Sequence, residues 1–231
     1  MTEEHFDHFD PSLYDFLEAI KANNDREWFN DNKDLYESTV REPARAFIRA
    51  MRPMIASLSP YFLADDRKSG GSLMRIYRDT RFSKDERPYK TNVGIQFRHE
   101  RGKDVHAPGL YVHLEPGEVF LGVGLWQPDK EPLQRIRQHL ADHPERWLEA
   151  TGGGDFKAHF KLGGEALKRP PRGFDKAHPL IEDIKRTSFI GVGTLTVAET
   201  LAPGLPELIY GRFEAAVPFI RLLCDAVDAP F

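Results

Sequence analysis

Residues 109–126 constrain the fold more than any other stretch of the chain. Leu110, Val112 and Leu114, then Val119, Leu121, Val123 and Leu125, are apolar at every second position. That is the period at which a strand places its side chains on one face. Glu115-Pro116-Gly117-Glu118 separates the two runs. Proline and glycine are turn residues, so the runs fold back on each other as a β-hairpin with one apolar face. An apolar sheet face must be covered, and the chain on either side carries helical patterns.

Asp10-Pro11 reads as an N-cap followed by a first-turn proline, with Leu13, Phe16, Leu17 and Ile20 following at helical spacing. Asn23-Asn24 ends that helix, and Asp25 can cap the next, which carries Trp28, Phe29, Leu35 and Tyr36. Pro43 opens a third helix with Phe47, Ile48, Met51 and Ile55, and Pro53 inside it is expected to kink or split it. Beyond Ser69-Gly70-Gly71 the signals turn to strand: 73–77, then Val93, Ile95 and Phe97, then the hairpin. Helical patterns return at 132–142 and 179–185. Residues 189–197 alternate like a strand, and from Leu205 onward the pattern is helical, with a kink expected at Pro218. This order predicts an α+β fold: an N-terminal helical layer (about 10–60) packed on a mainly antiparallel sheet (about 72–126), with C-terminal helices. The chain is read as one domain, 1–231. Residues 151–178, rich in Gly, Pro and Lys, read as an irregular excursion.

Of 231 residues, 40% are apolar and 29% charged, a balance that suits a soluble globular protein rather than a disordered one. Sixteen phenylalanines point to an aromatic-rich core. The single cysteine, Cys224, excludes an intramolecular disulfide and a paired-cysteine zinc motif, and it reads as a small buried hydrophobe. The acidic N-terminus has no signal-peptide core, and no apolar run approaches the roughly 18 residues that span a membrane, so a cytoplasmic location is expected. No phosphate-cradling glycine loop, dinucleotide fingerprint or nucleophile elbow is present. No cofactor and no metal are assigned.

Arg75, Arg78, Arg81, Lys84, Arg87 and Lys90 recur at every third position. Neither a strand nor a helix puts all six on one face, so a short strand leading into a folded-over loop is expected. With Asp79, Asp85 and Glu86 the stretch carries a net +3, in a chain of net −4. A local basic site on an acidic body suits a discrete anionic small molecule, and nucleic acid is not expected. Arg75, Arg78, Arg81, Lys84 and Lys90 are the candidate anion contacts, Asp79 would orient an arginine, and Tyr77 or Tyr89 would stack. The same stretch also reads as a solvated loop whose acids satisfy its own charge.

His113 and Glu115 lie two apart on a predicted strand and so share a face. An imidazole and a carboxylate there suit acid–base work or metal coordination, but a metal needs more ligands, for which His99 and His106 are the nearest guesses. Trp126, after Gly122 and Gly124, would flank a pocket or pack in the core. Trp28 and Phe29 read as core-packing residues, with Asn23, Arg26 and Glu27 as capping and pairing groups.

Four stretches carry a resemblance. They are Phe16-Leu17 through Asn23-Asn24-Asp25-Arg26-Glu27-Trp28-Phe29 to Asn32-Lys33; Arg75-Ile76-Tyr77-Arg78-Asp79-Thr80-Arg81-Phe82-Ser83-Lys84 with Pro88-Tyr89-Lys90-Thr91; Tyr111-Val112-His113-Leu114-Glu115-Pro116 with Gly122, Gly124 and Trp126; and Pro171-Arg172-Gly173-Phe174-Asp175 with His178-Pro179-Leu180-Ile181. Together they resemble the bacterial-type family called domain of unknown function 2461. Ala177 departs from the pattern, which favours an acidic residue before His178. The resemblance implies a shared fold and shared motif residues, but no activity. Three readings stand: an anion-binding protein using residues 75–90; an enzyme on such a ligand with His113, Glu115 or Asp79 as acid–base groups; and a structural or interaction module whose arginines pair internally, against carboxylates such as Glu27 or Glu115.

Overall fold

The hairpin forms as two strands of a six-stranded antiparallel sheet. In the computed structural model, which describes residues 6–81, 83–102 and 107–231, the strands are β1 (Phe62–Leu63), β2 (Val93–His99), β3 (Gly109–Glu115), β4 (Glu118–Leu125), β5 (Lys161–Gly163) and β6 (Phe189–Leu195), in the order β1-β2-β3-β4-β6-β5. Every neighbouring pair is antiparallel. Pro116 and Gly117 close the β3–β4 turn. Gly117 has φ 85°, a left-handed value that costs glycine nothing. Residues 1–5 and His106 lie outside the described residues.

Register puts one apolar row behind another. Ile95, Val112, Leu121 and, on the next row, Phe97, Leu110 and Val123 are cross-strand partners, all buried. Helix α4 (Glu42–Leu58) packs on β2, α10 (Leu205–Ala215) packs on α4, and α11 (Val217–Ala226) packs on β4. A chain of rings ties these layers: Phe9 to Phe47 (5.6 Å), Phe47 to Phe97 (6.4 Å) and Phe97 to Phe213 (6.4 Å). At the other end Trp147, on α6 (Pro144–Gly152), meets Phe189 of β6 edge-on and Phe219 of α11. The α+β expectation is met, with helices before and after the sheet.

The prolines act differently from expectation. Pro53 sits inside α4 without dividing it. Pro43 lies in the first turn of α4, as expected, but that helix does not start afresh: a π turn (Glu37–Arg41) runs on from α3 (Lys33–Tyr36) into it. Pro43 has no N–H to return to the turn before it, and that turn widens. Pro218 does more than kink its helix: α10 and α11 are separate, with Pro218 in the first turn of the second. Residues 151–178 are also more regular than their composition suggests. They hold α7 (Gly154–His159), whose Phe156 packs on Phe219, and the edge strand β5. No helix among the described residues is long and apolar enough to cross a membrane.

Candidate functional site

The opposite sheet face is not apolar. Gly94 pairs with His113, Gln96 with Tyr111, Tyr111 with Gly122, His113 with Phe120, and Glu115 with Glu118. Tyr111, His113 and Glu115 are therefore consecutive residues of one strand face, and they are joined. The Tyr111 hydroxyl lies 3.1 Å from His113 Nδ1, and His113 Nε2 lies 3.3 Å from Glu115 Oε2. Thr91 donates to Glu115 Oε1 at 2.6 Å, and Asn92 Nδ2 approaches His113 Nδ1 at 3.5 Å. Phe120 stacks on the imidazole at 4.5 Å. His113 and Glu115 keep 12% and 23% of their side-chain surface in contact with solvent. Burial, with the Glu115 carboxylate adding to it, pushes the Tyr111 phenol up to about 12.

The basic segment adjoins this face. Its first part runs antiparallel to the chain leading into β2: Leu73 bridges Ile95, Tyr77 bridges Tyr89, and the Lys90 N–H donates to the Ile76 carbonyl. The expected strand is thus two isolated bridges, and the loop hangs between Arg78 and Pro88, which share a backbone hydrogen bond. Asn24 clamps the return strand. Its amide donates to the Tyr89 carbonyl and its oxygen accepts from the Tyr89 N–H, each at 3.0 Å. Tyr89 is buried with Phe29 stacked on it at 4.2 Å. Asp25 caps the helix α2 (Arg26–Asp31) through the Trp28 N–H, which sets Phe29 in place.

Three arginines of the segment are paired within it. Arg78 and Arg87 both meet Asp85, at 2.6 and 2.7 Å, and Arg81 meets Asp79 at 2.6 Å. The hydrogen bonds from Arg81 hold Asp79 down to about 2, and those from Arg87 and Arg78 hold Asp85 far below the usual carboxylate range. Internal pairing therefore occurs, but with the segment's own aspartates rather than with Glu27 or Glu115. Arg75 and Lys90 are different. Among the described residues no carboxylate lies within ion-pair distance of either. Burial, and the nearby Arg75 charge after it, pull the half-buried Lys90 ammonium below its ordinary range. Lys84 is exposed.

The structure does not bring all the sequence candidates together. Lys90 adjoins Thr91, which reaches Glu115, while Asp79 stays with Arg81 in the loop. Tyr77 is 50% exposed; Tyr89 is buried and has no free ring face. Trp126, 62% exposed, follows β4 at the end away from the Glu115–Glu118 pair. Gly122 and Gly124 make room for the protein itself. The Tyr111 ring lies over Gly122. Gly124, at φ 111°, faces the Phe189 carbonyl, which a Cβ would approach to 2.2 Å. His99 lies on the buried face, accepts from the Arg101 N–H and contacts the Pro230 carbonyl. His178 accepts from the Leu180 N–H, so its other nitrogen carries the hydrogen that bonds the Ala141 carbonyl, an anchoring role.

Sequence reasoning missed Tyr111, Thr91, Asn92, Glu118 and the Asn24 clamp. The first was within reach, because the period that joined His113 to Glu115 also includes Tyr111. Glu118 follows from closing the hairpin with a two-residue turn. The other three are contacts between distant segments.

No curated protein and no solved structure matches the chain. Three of the four stretches that carry the resemblance meet around Tyr89 and His113, and the fourth anchors 171–181 to the end of a helix. All four fall within residues 12–222, which match the family model described as "Conserved hypothetical protein (DUF2461)", and the chain belongs to that family.

Proposed function

We propose that this chain binds an anionic small molecule bearing a phosphate or carboxylate, with Arg75 and Lys90 as the charged contacts. One observation carries the reading. These two cations lie close enough for the charge of one to depress the other, while the segment's aspartates form their ion pairs with Arg78, Arg81 and Arg87, and Asp79 feels Arg75 without pairing with it. A half-buried ammonium beside a second positive charge is costly, and an anion between them offsets that cost. Tyr77, two residues on from Arg75, offers an exposed ring to an attached sugar or base. The paired arginines and Tyr89 act as scaffold in this reading.

Chemistry on the bound ligand is the second reading, and the 3.3 Å contact of His113 with Glu115 favours it. The acid–base set is then His113 and Glu115, linked to the anion site through Thr91, without Asp79.

The test is calorimetry and thermal shift with inorganic phosphate, pyrophosphate, sugar phosphates, nucleotides and citrate. At least one anion is expected to bind saturably, Arg75→Gln and Lys90→Met to abolish binding, and Arg87→Gln to retain it. If no anion binds, or if the Arg75 and Lys90 variants bind as the parent does, the proposal fails.

A further inference from the structure

We propose that His113, Glu115 and Glu118 hold a divalent first-row metal ion of the zinc or manganese class. The proposal uses other residues and another ligand than the anion reading, so each can fail alone.

The donor set is one imidazole nitrogen and two carboxylates, and one donor atom from each lies within 4.8 Å of the others. Imidazole suits zinc, carboxylates suit manganese, and a mixed set accepts either. Metal–ligand bonds of about 2.0–2.2 Å place two tetrahedral ligand atoms roughly 3.4 Å apart. His113 Nε2 and Glu115 Oε2 are 3.3 Å apart, so one edge of the polyhedron is already at its length. Glu118 is the exposed member of the three and sits across the Pro116-Gly117 turn from Glu115. The three donor atoms already lie within 4.8 Å of one another, and coordination requires the exposed Glu118 side chain to move the remaining distance.

The surroundings hold the two inner ligands in place. Tyr111 meets His113 at Nδ1, which leaves Nε2 as the atom that faces Glu115. Thr91 donates to Glu115 Oε1, which leaves Oε2 on the side of the imidazole. Phe120 fixes the ring plane. Outer-shell contacts of this kind orient metal ligands. With metal on Nε2, Nδ1 carries the hydrogen and donates it to the Tyr111 hydroxyl, and the Asn92 amide, 3.5 Å away, turns its oxygen rather than its nitrogen toward Nδ1. Three protein ligands leave at least one position for water.

A metal-free alternative exists: His113 Nε2 keeps its hydrogen and donates to Glu115. Titration of the untagged full chain, freed of metal with a chelator, separates the two. Zinc, manganese and magnesium are titrated by calorimetry, and cobalt is followed by its visible absorption. The expected result is one equivalent of zinc or manganese bound, cobalt bands of nitrogen–oxygen coordination, and at least tenfold weaker binding in Glu118→Gln. Glu118 is exposed, so that variant keeps the fold. His113→Asn is expected to abolish binding. Among the described residues His139 and His143, with rings 5.1 Å apart, are another histidine pair able to take up metal, and binding that survives His113→Asn would place the ion elsewhere and overturn the proposal. Failure of both zinc and manganese to bind, or equal affinity in Glu118→Gln, overturns it as well.

Discussion

Removing the Asn24 side chain tests how the basic segment is held. Asn24→Ala leaves both backbone groups of Tyr89 without their partner, a donor and an acceptor that now form 3.0 Å hydrogen bonds. Tyr89 is buried, and an orphaned buried polar group costs about 1–3 kcal/mol. Asn24 itself is half-buried, so water partly replaces it and each group falls toward the low end. Two such groups give about 2–3 kcal/mol. For a chain of this size each kcal/mol moves the midpoint by about 2–4 °C, so the melting temperature is expected to fall by about 4–12 °C. Urea unfolding followed by the fluorescence of the buried Trp147 measures the loss, with the denaturant slope unchanged. Asn23→Ala is the control. It removes only an exposed bond to the Ala19 carbonyl and is expected to cost under about 0.5 kcal/mol. Hydrogen exchange supplies a local readout, since the Tyr89 amide becomes fast in Asn24→Ala while the β3 and β4 amides stay protected. If Asn24→Ala costs no more than Asn23→Ala, the clamp does not hold the segment.

Three further outcomes follow from single sites. Gly124→Ala puts a methyl group against the Phe189 carbonyl at a φ that alanine rarely adopts, and the unfolding free energy from urea titration is expected to drop by about 3 kcal/mol or more. The Tyr111 phenol, at about 12 when folded against about 10 when unfolded, holds its proton more tightly in the native state. Its contribution is complete below pH 10 and is lost as pH rises from about 10 to 12, so Tyr111→Phe is expected to lose less stability than the parent across that window. Cys224 is fully buried, and burial pushes its thiol up to about 12. It should ignore a disulfide reagent at pH 8 and react with one equivalent in urea; a fast native reaction would refute that.

Much of the frame was legible because it rests on periods. The alternation in 109–125 identified the two central strands, and the register confirms that the apolar residues share a face. Composition misled over the first part of 151–178, while 164–178 has neither helix nor strand, as expected. Gly and Lys suggested irregular chain, yet Phe156 and Phe160 were there to pack, and their rings stack at 5.6 Å. The π turn before Pro43 had no sequence signal, because a missing N–H can end a helix, kink it or widen one turn, and tertiary packing selects among these. The polar face was half legible. Its strand residues follow from a period of two, but Thr91, Asn92 and Asn24 reach it from other segments, and no local pattern records such contacts.

The every-third spacing of the basic residues does not by itself describe a ligand surface. Arg81 folds back on Asp79 and Arg87 on Asp85, each two residues away, while Arg78 crosses the loop to Asp85. The Arg81–Asp79 and Arg87–Asp85 pairs are exposed and the Arg78–Asp85 pair is partly buried; exposed pairs contribute little to stability, and their effect is to neutralise charge and shape the tip. What they leave is Arg75 at the start of the segment, Lys90 at its end and the exposed Lys84 at the tip. The antiparallel run of 73–77 beside 89–95 brings both ends of the loop back to β2. Lys90 is followed directly by Thr91, whose hydroxyl reaches Glu115. Loop pairing therefore leaves two cations, Arg75 and Lys90, close to each other at the base of the loop, with Lys84 alone at the exposed tip. Thr91 links the base of the loop to Glu115, so any coupling between a phosphate bound at Lys90 and a metal ion bound at Glu115 and Glu118 would run through it. For that reason the two binding tests are run separately and then together, so that a rise in anion affinity with metal is seen as coupling between two sites rather than mistaken for either one.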